Sequence, residues 1–270
     1  MLSVITFYVL TVNIGFNFLE RCFDLSQSSK KKQKTKRNHN IGYHHGDLRS
    51  SLIDKAIEML NDCSPEDLSL RELARLAGVS QAAPYRHFKD KEDLFASIAQ
   101  QGFEIKLKYM LSAMEKFKDD PNELFFQCGL SYFKMGQKHP QHFKLMFGSN
   151  VAPNLNHPEL MKAACATFVC LKEMIVMGQS AGLIGSGDPF HKAMNCWSVV
   201  HGFTMLYCNQ RLTWLGISTK NCESALRVLL SQHLLGSKTE ILSDVFSVQL
   251  FQTKESLAIY EQIKDLKILK

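Results

Sequence analysis

Among the 270 residues there is no Gly-rich phosphate loop, no Gly-x-Ser-x-Gly elbow, no His-Glu-x-x-His and no Cys-x-x-Cys pair. Each missing motif removes a class: nucleotide hydrolysis, elbow-type acyl transfer, zinc proteolysis and zinc-ribbon or thioredoxin chemistry. The eight cysteines, at 22, 63, 128, 165, 170, 196, 208 and 222, are dispersed. A chain this rich in core-forming residues needs no disulfide staples, so they are read as reduced thiols in a cytoplasmic protein. His44-His45 supplies two neighbouring ligands, too few for a metal, and neither a metal nor a cofactor is expected. An apolar content of 45% with 21% charge excludes whole-chain disorder, collagen and pure coiled coil.

Charge is spread unevenly. The formal net charge is +6. Lys30, Lys31, Lys32, Lys34, Lys36 and Arg37 carry the whole excess in one short run. Residues 26–40 hold no aromatic or branched aliphatic side chain and form a flexible polycationic linker. Before it, Met1 to Leu19 is free of charge and reaches the length at which a membrane span must be considered, although Ser3, Thr6, Thr11, Asn13 and Asn17 weaken that reading. Nor is it a secretory signal, since no cation precedes it and no small-x-small site follows. Three readings stay open: a membrane anchor, an amphipathic partner-binding segment, or an upstream extension outside the working protein, the last being favoured. Residues 1–40 are taken as this extension.

From Arg49 the pattern is helical. Leu52, Ile53, Ala56, Ile57, Met59 and Leu60 recur at three- and four-residue steps, predicting an amphipathic helix that ends near Asn61. Ser69 and Glu72 form a capping box that starts a second helix at Leu70, and Gly78 ends it through a positive φ. Ser80 is placed to cap a short helix from Gln81 to Phe88, and Asp90 a long one from Lys91. Two short helices joined by a Gly-containing turn predict a helix-turn-helix at 69–88. Its second arm bears Gln81, Tyr85, Arg86, His87, Lys89 and Lys91, hydrogen-bonding groups where a core helix needs aliphatics. Gln81 can present its amide to an adenine edge in the major groove, while Ala82 and Ala83 allow close approach or touch a thymine methyl. Arg71 can reach a phosphate or a guanine.

These residues resemble a known family. Arg71-Glu-Leu-Ala-Arg-Leu-Ala-Gly-Val-Ser-Gln-Ala-Ala-Pro-Tyr-Arg-His-Phe-Lys-Asp-Lys-Glu-Asp-Leu-Phe95 resembles the DNA-binding segment of TetR-family bacterial transcriptional regulators. Trp197-Ser-Val-Val-His201-Gly202 is similar to the Trp-x-x-x-His-Gly signature of one branch, and Tyr43-His-His-Gly-Asp-Leu-Arg49 to that branch's opening. The resemblance implies an all-α protein. On it, a three-helix DNA-binding domain at 45–105 precedes a ligand-binding and dimerisation domain at 106–235; the tail at 236–270 lies outside the resemblance and is read as helical from its spacing alone. The resemblance further implies that Tyr85, His87 and Lys91 contact phosphates, that the last two helices of the bundle, near Pro189–Leu215 and Thr219–Leu235, pair with a second copy, and that a small-molecule effector shifts binding to a palindromic operator on double-stranded DNA. Phe143, Phe147, Met177, Trp197 and His201, with Phe133, Met146, Met174 and Phe203, are candidates to line an effector pocket, although aromatics and Met at helical spacing more often fill a core.

One number opposes the DNA reading. Residues 41–100 hold seven Lys or Arg against ten Asp or Glu, whereas a DNA-binding face should be positive. Segregating Arg86, Lys89 and Lys91 from the acids, and placing the 30–37 run beside the first helix as an arm, reconciles the two. Membrane tethering through residues 1–19 and an architectural DNA binder without effector are the alternatives.

Overall fold

The computed structural model describes residues 48–151 and 157–235. The 1–40 extension with its basic run, most of the 43–49 opening and the 236–270 tail therefore lie outside the described residues. Within them the protein is all-α, with no strand. The helices are α1 (Leu48–Met59), α2 (Leu70–Leu76), α3 (Lys91–Lys116), α4 (Pro121–Lys138), α5 (Pro140–Phe147), α6 (Pro158–Ser180), α7 (Pro189–Cys208) and α8 (Cys222–Leu235). No helix among the described residues is long and apolar enough to cross a membrane.

The chain divides into two compact units, and not at the predicted 105/106 boundary. The first unit runs to Lys108 and includes Gln141–Glu173; the second holds Tyr109–Pro140 and the chain from Met174 onward. Helix α5 and the first part of α6 thus pack with the DNA-binding segment. Leu145 of α5, Leu160 of α6 and Val151, which follows α5, enter the same core as Leu52, Leu68, Leu73, Phe88, Leu94 and Ile98. Two polar clasps reinforce this packing, Gln141 donating to Asn61 at 3.0 Å and Asn150 to Glu66 at 2.9 Å. Period-3.6 patterning shows that a helix has a buried face but not which later helix covers it, so this grouping could not be read from spacing.

In the second unit α4, α7 and α8 pack on one another. Asp120 and Asp188 cap α4 and α7, accepting from the amides of Glu123 and Phe190, and each is followed by Pro at the helix start, where the missing amide costs nothing. Phe133 is fully buried against Phe203 and Tyr207, with ring centroids 5.5 and 4.9 Å away. Helices α4 and α8 come close at Gly129, where a Cβ would lie 2.5 Å from Leu230 Cδ1. Above this core, Arg227 makes a two-pronged bond to Glu123, 2.8 Å on each oxygen, while its guanidinium sits 4.7 Å over the Phe126 ring.

That pair sets an acid limit. Hydrogen bonds from Arg227, then from Gln127, hold the Glu123 carboxyl at about 2, down from its ordinary 4.5. A depressed carboxylate contributes stability that is complete above 4.5 and fades as pH falls towards 2. Both side chains are partly exposed, Arg227 by more than a third, so solvent screening limits the pair to about 1 kcal/mol. Arg227→Met keeps the contact with Phe126. It should therefore be less stable than the parent by about 1 kcal/mol near pH 6, and the gap should close by about pH 2, as measured by urea unfolding across that range.

Candidate nucleic-acid interface

The helix-turn-helix is built by local hydrogen bonds that the sequence largely announces. Ser69 sits in extended conformation before α2 and accepts from the Glu72 amide at 3.2 Å, as the capping box requires. The reciprocal half is absent, because the Glu72 carboxylate turns along the helix surface to Arg75, a charge-assisted bond stronger than one to a neutral amide. At the other end Gly78 takes φ +67°. Its amide bonds to the Arg75 carbonyl and that of Val79 to the Ala74 carbonyl, the paired bonds that close a helix through a left-handed residue.

The segment after the turn departs from the predicted short helix. Residues 81–83 form turns, and only Pro84–Arg86 is helical, as a 3-10 turn. Pro84 has no amide to give the Ser80 carbonyl, so the Ala83 amide takes that acceptor instead, at 2.9 Å. The tighter bonding then persists, from Arg86 to Ala83 at 3.2 Å and from His87 to Pro84 at 2.9 Å. Proline thus converts a turn of α-helix into successive tight turns.

This geometry sorts the candidate side chains. Gln81, Ala82, Tyr85, Arg86 and His87 are exposed, with Tyr85 keeping 51% of its surface, and Arg71 on α2 is exposed as well. Ala83 is a correction: at 8% exposure it packs inward beside Pro84, so it holds the segment to the core instead of facing a groove. Pro84 is buried beside it, while Gln81, Ala82 and Tyr85 lie outside. Phe88, 1% exposed, is the second anchor, with the Arg49 guanidinium 5.4 Å from its ring centre. Lys91 is half-buried, and its ammonium already donates to the carbonyls of Pro65 and Glu66 at 3.1 and 2.8 Å. Of its three donors one is left for a phosphate. Sequence reasoning missed this tie because its acceptors are backbone atoms of a loop 25 residues away. It also missed the return of the Asp93 carboxylate to the Lys89 amide at 3.0 Å, which completes the cap begun by Asp90.

Arg86 and Lys89 remain exposed around this segment. Several nearby acids are engaged: Glu66 accepts from Asn150, Glu72 from Arg75 and Glu58 from Lys55. These contacts engage the acids locally and leave the formal negative balance of the domain unchanged.

A profile described as "Bacterial regulatory proteins, tetR family" matches residues 52–98, and one described as "Tetracyclin repressor-like, C-terminal domain" matches 125–230. The chain belongs to the TetR family. TetR-family proteins are transcriptional regulators and not enzymes. Among relatives, the HTH-type transcriptional regulator AcrR of Shigella flexneri is 35% identical over 79 residues, 28% of this chain and 35% of that protein. The class C tetracycline repressor protein of Escherichia coli is 44% identical over 52 residues, 19% of this chain and 24% of the repressor. The matched segment thus spans about a third or less of these two regulators. A solved structure of a protein of unknown function from Rhodococcus sp. RHA1 aligns over 72% of this chain and 99% of its own, with TM-score 0.63 and 29% identity.

The residues expected around an effector fall into two sets. In the first unit Phe143 is buried and Phe147 half-buried, their ring centroids 5.0 Å apart. In the second unit Trp197 and His201 converge on Tyr132 of α4: the phenol lies 2.7 Å from His201 Nδ1, and the Trp197 indole donates to the phenol oxygen at 3.4 Å. Burial pushes the Tyr132 hydroxyl above its ordinary pKa, so it stays protonated and its proton is available to the imidazole. The Trp-x-x-x-His-Gly signature therefore knits α7 to α4 through a phenol. Met177 is a correction, 51% exposed on α6 and so turned away from any interior site. The buried residues of that stretch are Met174 and Ile175.

Proposed function

We propose that this chain is a homodimeric, ligand-responsive repressor that works in the cytoplasm and reads a palindromic operator through residues 81–87. The observation that carries the reading is the division of labour within that short segment. Ala83, Pro84 and Phe88 fasten it to the core, while Gln81, Ala82, Tyr85, Arg86 and His87 stand outward. An amide suited to an adenine edge is flanked by a phenol, a guanidinium and an imidazole that can hold phosphates, which is how position and sequence are separately read.

Pairing is supported by the outer face of α7. Ser198, Gly202, Met205 and Leu206 follow one another at helical intervals, and Met205 and Leu206 are exposed. A Cβ built on Gly202 meets nothing within 4 Å, so no neighbour among the described residues requires glycine there. A second copy packed on this stripe gives both the apolar side chains and the glycine a partner. Two recognition segments about 34 Å apart then meet half-sites one helical turn apart, and a ligand that favours another separation releases the DNA.

Selection of bound fragments from the source genome tests this. A two-fold palindrome, held by two chains and released by some micromolar small molecule that also raises the melting temperature, is the expected outcome. Fragments without dyad symmetry, or one chain per site, would overturn it, and binding that no ligand shifts would leave an architectural binder.

A further inference from the structure

The recognition segment stands in a stretch with little positive charge to spare. Seven Lys or Arg against ten Asp or Glu give residues 41–100 a formal −3, and the structure shows where most of those cations are committed. Lys55 pairs with Glu58 and Arg75 with Glu72. Lys91 donates to the carbonyls of Pro65 and Glu66, and Arg49 donates to Ser97 Oγ at 2.7 Å while facing the Phe88 ring. Arg71, Arg86 and Lys89 are left as exposed cations of the described stretch. That is a small supply for a duplex bearing one negative charge per about 1.7 Å of its axis.

The missing charge lies just upstream. Lys30, Lys31, Lys32, Lys34, Lys36 and Arg37 come within one short run, and Asp47 is the one Asp, Glu, Lys or Arg between Arg37 and α1. Counting the run turns −3 over residues 41–100 into +3 over residues 30–100. The structure fixes where this run is tethered. Arg49, in the first turn of α1, lies beside Phe88 at the end of the recognition segment and bonds to Ser97 on α3. The chain therefore enters α1 next to the residues that meet a duplex. From Arg37 to Leu48 it can span at most about 40 Å, several times the width of a major groove of about 12 Å.

We propose that residues 30–37 grip the phosphate backbone beside each half-site and supply most of the sequence-independent part of DNA affinity. This rests on residues 81–87 being the segment that meets the duplex. Five of the six cations are lysines, compact point charges that neutralise a phosphate without the planar fork that arginine brings to a guanine edge. The run thus strengthens specific and non-specific binding alike, and selectivity stays with Gln81 and its neighbours. Each neutralised phosphate steepens the fall of log K with log salt by about 0.9, so six cations account for up to about 5 per chain. An anionic membrane surface offers the same charge, but the tether beside Phe88 brings the run to the phosphates of a bound duplex.

The test titrates the full chain against the selected palindrome and a scrambled duplex at several salt concentrations. A variant with Lys30, Lys31, Lys32, Lys34, Lys36 and Arg37 all changed to Gln should bind both duplexes at least about tenfold more weakly at low salt. It should keep the ratio between them and show a salt slope shallower by about 3–5 per chain. Changing only Lys30, Lys31 and Lys32 to Gln should remove about half of that slope, which keeps the proposal testable if the six-site variant folds poorly. Exchanging the five lysines for Arg should leave the slope as it is. An unchanged slope in the Gln variants, or a loss confined to the palindrome, overturns the proposal. So does DNA binding that the Gln substitutions leave untouched while they abolish binding to vesicles of phosphatidylserine in phosphatidylcholine. A parent that holds both duplexes alike, with a slope the substitutions flatten, keeps the proposal and sinks the palindromic reading. A palindrome still preferred, with its slope unaltered by the substitutions, does the reverse.

Discussion

Gln81→Ala combined with Tyr85→Ala should weaken binding to the selected palindrome by about 30-fold to 10⁴-fold and leave the melting temperature of the protein unchanged. The estimate follows from ~1–3 kcal/mol for each good base contact, lost in both half-sites of a paired complex. Tyr85 adds a phosphate contact to that loss. Stability should be spared because Gln81 and Tyr85 are exposed and the hydrogen bonds that shape the segment run between backbone atoms of Ser80, Ala83, Pro84 and their neighbours. Equilibrium titration at fixed salt against the palindrome and a scrambled duplex gives affinity and selectivity together. A folded double variant that holds the palindrome as tightly and as selectively as the parent would remove residues 81–87 from the interface.

Phe88→Ala should act through the core instead. A large-to-small change at a ring that is 1% exposed costs about 3–5 kcal/mol, part from lost burial and part from the cavity left behind. The Arg49 guanidinium loses the ring beneath it as well, and the Phe88 amide closes the last bond to Pro84, so the inner anchor of the recognition segment loosens. A lower urea midpoint with weakened operator binding is expected. Phe88→Leu, which restores most of the volume, should recover most of both losses. A Phe88→Ala protein as stable as the parent would contradict the packing described for this core.

The local signals of the interface were legible because they act within a few residues. Ser69 before α2, the left-handed Gly78, Asp90 before α3 and the prolines opening α4, α6 and α7 each work over one turn of chain, and each holds in the structure. Pro84 is visible in the sequence too, but its consequence lies in one lost donor: the acceptor at Ser80 passes to the Ala83 amide, and a 3-10 turn forms over Pro84–Arg86.

What spacing could not supply were contacts between residues far apart in the chain. Spacing does not show that the loop at Pro65 and Glu66 takes two of the Lys91 donors. Nor does it show that α4 brings Tyr132 between His201 and Trp197. Lys106 drew no notice at all, since one lysine in an amphipathic helix reads as surface until α6 closes over it.

The amino-acid order alone determined that this chain is helical, where most helices begin, and which short stretch carries groups able to read a duplex, because caps, glycine turns and side-chain chemistry are properties of neighbouring residues. Tertiary packing alone decided which of those groups remain outside, which are spent on other parts of the protein, and that α5 and α6 complete the N-terminal core. Burial and long-range hydrogen bonding are set by what the fold lays against a residue, and one strand of letters does not contain that partner.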